Sequence, residues 1–527
     1  MMPSWRVGAY FVAGLSGLAI TIAHPPLGWW WSSFLAPPML VGALWLDAVR
    51  ASGKSHAFRL GFVAGLVAFA PMIQWIIAPA GYVGWALLVA VQAGWWGVLA
   101  VLLARFRDHP LLPVIAAAVW TGIDAWRGVV PLSGFEWGAL AYAHVDGSWL
   151  LPVARVLGAR GITAFTVAIG VATLVLLRTG VRVVREDGLD GFARVLPRAR
   201  VPTVLLVVSL AGSALVVADP PATDGSLRVL VVQGNDIRHW QQPVDDPVTR
   251  IATNLHADTL DALASGRDPD VVVWPESAID RDPTRTTNAA LAEIIADVAA
   301  RPPELLAGTT LDGPDPAHTR YVAVSHYTDS GTAVDRYVKR RLVPFGEYVP
   351  ARRLIGWFPP LAQVPRDALA GQGPQQFVVG DDVRIATVIC FETLFGALVR
   401  DNVRGDGDYA HLVVATTNDA SFRDSAEPAQ HLAQSRMRAV ETGRWVVHAS
   451  LSGSSAFVDP NGVAHDTSPL FTRATIAREV PLATSATPFL VIGDLLGWIT
   501  RAIVAVLLLA VLVGARRRAS RRPSANR

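Results

Sequence analysis

The sequence predicts a multi-span α-helical membrane domain joined to an α/β domain, and two observations carry that prediction. Of 527 residues 52% are hydrophobic and 17% charged, with a mean hydropathy of +0.36, far from a soluble globular average. The charges are also uneven: sparse before about residue 177 and dense from 223 to 480. Two parts of the chain therefore face different solvents.

A bilayer core about 30 Å thick calls for roughly 20 mostly apolar residues per helix. Runs of that kind lie near 7–23, 29–48, 60–79, 83–104, 110–127, 150–177 and 201–218, with an eighth near 491–514. Asp124 and Arg127 interrupt the end of the fifth, and Asp494 and Arg501 fall within the eighth. The first run reads as a retained span: His24, Pro25 and Pro26 lead straight into Trp29, Trp30 and Trp31, with no small-residue cleavage pattern. Basic residues occupy alternate loops. Arg50, Lys54 and Arg59 mark the second, Arg105 and Arg107 the fourth, and Arg178, Arg182, Arg185, Arg194, Arg198 and Arg200 the sixth, whereas the first and third carry none. A further basic cluster, Arg516 to Arg527, closes the chain. Positive charge stays in the cytoplasm, so both termini are expected inside. The expected division is seven transmembrane helices over 1–218, an extracytoplasmic domain over 219–488, a closing helix over 489–515 and a basic cytoplasmic tail over 516–527.

From Leu227 onward the texture changes. Short β-branched runs, Leu227–Val232, Asp270–Trp274, Val383–Cys390, His411–Thr416 and Arg444–Ala449, read as buried strands. Stretches 248–265, 286–300 and 427–442 between them have helical length and spacing. About 260 residues of this pattern suffice to bury a core of their own.

Composition excludes several functions. A net charge of +3, with arginines at the ends of apolar runs, leaves no nucleic-acid footprint. A single cysteine, Cys390, permits no intramolecular disulfide and no paired-cysteine metal site. No metal-ligand cluster, phosphate loop or dinucleotide fingerprint is legible, so neither metal nor cofactor is expected.

Three segments carry reactive groups. Val271–Ser277 ends in Pro275, which is expected to stop the ladder and leave Glu276 just beyond it. Val388–Glu392 places the Cys390 thiol at the end of an apolar strand with a carboxylate two residues on. Tyr337–Tyr348 supplies Lys339. A thiol attacking a carbonyl requires a base and an oxyanion partner, and Glu, Lys and Cys make a sufficient set. Taken singly, a buried cysteine is more often a small core residue, a strand-end glutamate more often solvated, and a lysine beside two arginines more often surface charge. His431 and His448 read as structural.

On these residues the chain resembles the nitrilase superfamily, whose Glu-Lys-Cys triad sits on an αββα sandwich, and within it the apolipoprotein N-acyltransferase family. The similarity rests on Val232–Asn235, Val273–Glu276, Lys339 with Leu342–Glu347, Cys390–Glu392, Asn418–Ala420, Gln430–His431 and Arg438–Glu441. It implies Glu276 as general base, Lys339 as oxyanion partner and Cys390 as nucleophile. Glu347 and Glu392 would be accessory carboxylates that orient the triad or handle the incoming amine, Trp240 would lie near the acyl or substrate entrance, and Phe391 would be an accessory or substrate-binding residue beside the nucleophile. Departures are Ser421–Phe422–Arg423 in place of Trp-Phe-Gly, Trp445 where proline is common, Ser450–Gly453 where an asparagine-rich turn is usual, and Phe391 in place of a frequent tyrosine.

The activity so implied is ping-pong transfer of a fatty acyl chain from phospholipid, through a thioester, to the α-amine of an S-diacylglyceryl cysteine at a lipoprotein terminus. A monomer in the bacterial inner membrane, surrounded by membrane lipid, is expected. The loop Leu354–Leu361 reads equally as an interfacial gate or as core packing. Two other readings stay open on the residues: a membrane-anchored amidase using water as acceptor, and a binding or transport protein that keeps a nitrilase-like domain.

Overall fold

The computed structural model describes residues 4–46, 54–187, 192–216, 218–235, 245–301, 303–329, 331–357 and 359–520. Helices α1 (Ser4–Ala23), α2 (Ala36–Trp45), α3 (Lys54–Met72), α4 (Ile77–Phe106), α5 (Leu112–Arg127), α6 (Ala154–Asp187) and α7 (Phe192–Leu215) precede the sheets. Four stretches, Lys54–Met72, Gln74–Phe106, Leu151–Glu186 and Leu495–Val513, are long and apolar enough to cross a membrane. Val7–Ala23 and Ala199–Leu215 are apolar but shorter. The second apolar run departs most from expectation: it opens with a 3-10 turn, Trp30–Phe34, and leaves only ten α-helical residues. Gly28, in the left-handed region with φ 66°, turns the chain there, and Pro37 and Pro38 start the helix afresh.

The polar region folds into two sheets. The first has β1 (Thr223–Gln233), β2 (Val271–Ile279), β3 (Glu304–Asp312), β4 (Thr319–Tyr327), β5 (Ala333–Val338) and β6 (Asp367–Ala368). The second has β7 (Gln376–Val379), β8 (Val383–Ile389), β9 (Leu412–Thr417), β10 (Val446–Ser450), β11 (Ala456–Val458) and β12 (Ala464–His465). The chain then returns through β13 (Ala474–Ala483) to the first sheet, giving orders β13-β1-β2-β3-β4-β5, with β6 on β4, and β12-β11-β10-β9-β8-β7. In each sheet three central strands run parallel, β1-β2-β3 and β8-β9-β10, which explains their uninterrupted Val/Ile/Leu runs: both faces are covered.

Residues between the sheets, among them Val229, Val273, Phe377, Ile385, Val414 and Val447, form one core. The far side of the first sheet is covered by α8 (Pro247–Ala264) and α9 (Ala289–Ala299), through Ile251, Leu255, Leu291 and Ile295 against Val232 and Trp274. The far side of the second carries α10 (Gly396–Arg404) and α11 (Glu427–Thr442). This is the αββα sandwich. The five expected strands and three expected helices are present, with ends shifted by up to five residues, the largest shift being the run of β2 on to Ile279. Buried in the middle of the first sheet, β3 is not among the expected strands, because its apolar run Leu305–Ala307 gives way to Gly308, Thr309 and Thr310. Strands β4 to β7 and β11 to β13, which are short, half-exposed or on sheet edges, carry no comparable run of apolar residues.

The outer layer of the second sheet does not face water. Val388, Val413, Ala433, Met437 and Val440 belong to the same hydrophobic core as Phe69, Trp96, Trp120, Trp137 and Leu151 of the helical domain. Helix α11 is buried on nearly every side and ends at Gly443, which takes the left-handed conformation with φ 66°. Its polar side chains are matched by the helical domain. Glu441 accepts from the backbone N–H of Ala159 at 2.7 Å beside Gly158, whose φ of 64° breaks α6. The remaining element, α12 (Leu495–Ser520), packs on α5 and α6.

Within the helical domain Arg127 is fully enclosed. It donates to Asp124 at 2.8 Å, Gln92 at 2.7 Å and the Trp137 carbonyl at 2.6 Å, and lies over the Phe69 ring. The polar interruption at the end of the fifth apolar run is thus the clamp that holds the loop bearing Trp137.

Replacing Gly158 by valine tests this docking. A Cβ there would lie 2.6 Å from the Phe489 ring on a left-handed backbone. Strain and overpacking together predict a loss of about 2–4 kcal/mol, read as a lowered Tm in detergent, whereas Gly180→Val, in open space on the same helix, should change little.

Candidate active site

Glu276 and Lys339 come from the first sheet and Cys390 from the second. Expectation placed Glu276 past the end of its strand. Instead β2 continues to Ile279, and only its pairing to β3 lapses between Trp274 and Ile279. Pro275 has no N–H to offer the ladder. Gly308 lets the strands close up, since a Cβ there would sit 2.1 Å from the Pro275 carbonyl oxygen. Ser277, with φ 62°, turns the chain back. The carboxylate is thereby aimed out of a bulge in the middle of the sheet.

Lys339 follows β5 and has no exposed surface, so it is not the surface cation its basic neighbours suggest. Its Nζ donates to Glu276 Oε1 at 3.0 Å and to Glu347 Oε1 by a short bond. The second oxygen of Glu276 accepts from the Asn418 N–H at 3.0 Å, and that of Glu347 from the Val343 N–H at 2.9 Å. Burial works against the ammonium, yet the two carboxylates hold Lys339 well above the usual lysine range. Burial pushes the Glu276 carboxyl up, against the pull of Lys339.

Cys390 follows β8 and opens the 3-10 turn Cys390–Leu394 with a left-handed φ of 50°. Its thiol feels the charges of Glu276, Lys339 and Asp419. Burial, then the field of Glu276, pushes it well above the usual cysteine range, with Lys339 opposing. In the resting site the sulfur is a thiol.

The accessory residues divide. Glu347 completes the cradle of Lys339. Glu392 does not reach it: its two oxygens accept from the N–H groups of Arg340 at 2.6 Å, Arg341 at 3.0 Å and Ile389 at 2.8 Å and from the Tyr337 hydroxyl at 2.9 Å. It pins the lysine loop to the nucleophile turn. Phe391 stacks on Phe135 of the helical domain, with centroids 6.4 Å apart, and meets Phe395 edge-on at 5.0 Å. Trp240 lies outside the described residues.

Reasoning from sequence missed the roles of Asn418, Thr417 and the buried group Asp419, Glu427 and His431. They follow the end of β9 or open α11, so a strand-end search on the neighbour of β8 would have found the first three. The donor atoms of that group lie within 4.8 Å of one another, but both His431 nitrogens already face protein oxygens, so these residues form a closed hydrogen-bonded cluster rather than an open ligand set.

Residues 16–172 match the model of the apolipoprotein N-acyltransferase N-terminal domain, and residues 236–487 that of the carbon-nitrogen hydrolases. The apolipoprotein N-acyltransferase of Mycolicibacterium smegmatis is 31% identical over 94% of this chain and 84% of its own. The chain belongs to the apolipoprotein N-acyltransferase family. That of Geobacter metallireducens is 28% identical over 93% of this chain and 92% of its own. Among solved structures, an amidase from Nesterenkonia sp. is 18% identical over 50% of this chain and 93% of that one, at a TM-score of 0.34. A nitrilase-superfamily member of Saccharomyces cerevisiae is 16% identical over 49% and 91%, at 0.36.

Against the apolipoprotein N-acyltransferase pattern, the departure Ser421–Phe422–Arg423 keeps its backbone shape. Arg423 has φ 57° and ψ −158°, a region almost reserved for glycine. Phe422 docks edge-on to Trp75, with centroids 4.9 Å apart.

Lys339→Met should expose the balance of the site. Removing one partner of a buried ion cluster costs about 3–5 kcal/mol, here because Glu276 and Glu347 are left facing each other. The deficit should be largest at pH 8 and shrink toward pH 5 as a carboxylate takes up a proton. Thermal unfolding of the variant and the wild type across that range measures it, and a deficit independent of pH would count against the charge argument.

Proposed function

We propose that Cys390 carries a fatty acyl group from a phospholipid to the α-amine of a diacylglyceryl-cysteine lipoprotein terminus, with Glu276 as base and Lys339 as oxyanion partner. The observation that carries the reading is where the nucleophile sits. Phe391, the next residue, stacks on Phe135, which stacks on Trp137, which meets Trp75. This chain of packed rings sets the nucleophile directly against the helical domain, a placement suited to an acyl donor held in lipid, whereas an amidase acting on a small polar amide has no use for it. The curated relatives' names agree.

The thiol proton passes to Glu276, whose raised proton affinity narrows its mismatch with the thiol. The sulfur attacks the ester carbonyl, and Lys339 offers positive charge to the developing oxyanion. The ester C–O bond breaks, the proton returns through Glu276 to the glycerol oxygen, and a lysophospholipid leaves a thioester. An incoming amine attacks that thioester and gives its proton to Glu276; an amide forms and the thiol is restored. Glu276, Lys339 and Cys390 all come from one chain, so a monomer suffices.

The alternation of basic loops supports a bacterial cytoplasmic-membrane enzyme with the sandwich outside and both termini inside. Leu354 and Trp357 are 74% and 78% exposed, while Ile355 and Leu361 pack in a small core of their own. Gln363 ties this segment to the Pro79 carbonyl at 2.8 Å. Of the two readings of the loop, these exposed apolar tips support insertion into the interface over core packing.

Intact-protein mass spectrometry after incubation with phospholipid tests the activity. The wild type should gain a hydroxylamine-labile fatty acyl mass, discharged by a diacylglyceryl-cysteine peptide but persistent in water, and Cys390→Ala should gain none. Hydrolysis of small amides without an acyl adduct would replace the reading by the amidase one. Because the resting thiol is held protonated, alkylation of Cys390 by iodoacetamide should keep accelerating up to pH 9. A plateau near pH 7 would instead mark a preformed thiolate.

A further inference from the structure

His431, on α11, is 1% exposed and touches the nucleophile's backbone. Its Nε2 lies 3.1 Å from the Cys390 carbonyl oxygen and 3.0 Å from Thr393 Oγ1. The Thr393 hydroxyl has acceptors of its own, the same carbonyl at 2.9 Å and Gln434 Oε1 at 3.1 Å. The Nδ1 faces Asp419 Oδ1 at 3.0 Å and Glu427 Oε1 at 3.5 Å. Thr417 Oγ1, 3.3 Å away, directs its proton to Asp419 Oδ1 at 2.8 Å. A neutral imidazole has one N–H and one lone pair: the Nε2–H tautomer sets the lone pair against the Asp419 carboxylate, and the Nδ1–H tautomer leaves Nε2 to accept from Thr393 at the cost of its bond to the Cys390 carbonyl. Protonation of both nitrogens satisfies every contact.

We propose that His431 is a positioning residue for Cys390: an imidazolium, anchored on Asp419, whose Nε2–H holds the Cys390 carbonyl and so fixes the left-handed backbone from which the sulfur is presented. The surrounding charges are consistent with this. Glu427 is buried, and its Oε2 has no hydrogen-bond partner among the described residues; burial and the nearby Asp419 push it well above the usual carboxylate range, so it stays neutral. His448, edge-on to His431 with centroids 5.4 Å apart, is pushed down to about 3 by burial and adds no competing charge. One cation therefore faces one anion, Asp419, and Asp419 is further held by the Ser450 hydroxyl at 3.0 Å. The same short segment presents the Asn418 N–H to Glu276, so the anchor of the nucleophile and the anchor of the base are adjacent residues.

The proposal rests on Cys390 being the nucleophile, and its test has an arm that needs no lipid. Cys390 is the sole cysteine, so iodoacetamide alkylation of the full-length protein in detergent reads its reactivity directly. Single-turnover acylation by phosphatidylethanolamine in mixed micelles reads the reaction. His431→Gln keeps an N–H for the carbonyl but loses the charge, and should lower both rate constants about tenfold. His431→Leu loses both, and should lower them about a hundredfold, with the half-saturating lipid concentration unchanged in each variant. Rates within twofold of wild type, equal losses in the two variants, or an effect confined to half-saturation would overturn the proposal. Should the leucine variant not fold, the glutamine variant decides: a tenfold loss supports the role, and unchanged alkylation overturns it. A wild type that is alkylated but never acylated would sink the lipid reading while leaving the alkylation comparison intact.

Discussion

A lysine with no exposed surface can keep its charge only if carboxylates replace the water it has lost, and the catalytic half of this molecule is arranged to supply them. Glu276 reaches Lys339 from a bulged strand of the same sheet, and Glu347 from the loop that follows it. Each carboxylate spends its other oxygen on a backbone N–H, so neither can drift from the ammonium. Burial, and after it the field of Glu276, pushes the neighbouring thiol up, with Lys339 opposing. The same cluster thus serves as a core element and as a store of basicity. Strain is stored beside it: Ser277, Phe345 and Cys390, each next to or near one of these side chains, adopt left-handed backbones that cost about 1–3 kcal/mol apiece in non-glycine residues.

The second constraint is the docking of α11. Gln430, His431, Gln434, Arg438 and Glu441 on this helix are all buried, so each must find protein partners in place of water. The helical domain supplies several of them. Gln430 alone accepts from Trp75 Nε1 at 3.1 Å and Trp137 Nε1 at 2.7 Å and donates to the carbonyls of Pro25 and Met72, both at 3.2 Å. Arg438 pairs with Glu441 at 3.0 Å, and Tyr142 gives its proton to the Leu394 carbonyl at 3.1 Å. One helix therefore has two duties. Its Gln430 locks onto the loops of the membrane part, and the next residue, His431, touches the nucleophile. Docking on the helical domain and contact with the nucleophile's backbone fall to adjacent side chains.

One departure from the family pattern, Phe391 in place of a frequent tyrosine, lies on the seam between the two domains, where it meets Phe135. A ring packed on a ring can lose a hydroxyl there at modest cost. The lysine cradle tolerates no such exchange, because its contacts are hydrogen bonds of fixed length and sign.

Sequence by itself determined the two solvents, most of the apolar helices, five of the six central parallel strands and the choice of Glu276, Lys339 and Cys390 as candidates. Each of these leaves a local mark: a long apolar run, an unbroken β-branched run, or a reactive residue inside a specific motif. Edge strands such as β6 and β12, two residues long, leave none. Only the tertiary structure decided which carboxylate does what. Glu347 and Glu392 look alike in sequence, each a few residues from a catalytic candidate, yet one cradles Lys339 and the other stitches backbone N–H groups together. Burial of Lys339, the left-handed turn at Cys390, and the approach of His431 to its carbonyl depend on β5, β8 and α11 meeting from opposite layers. Their charge balance is a property of that meeting and of no single segment.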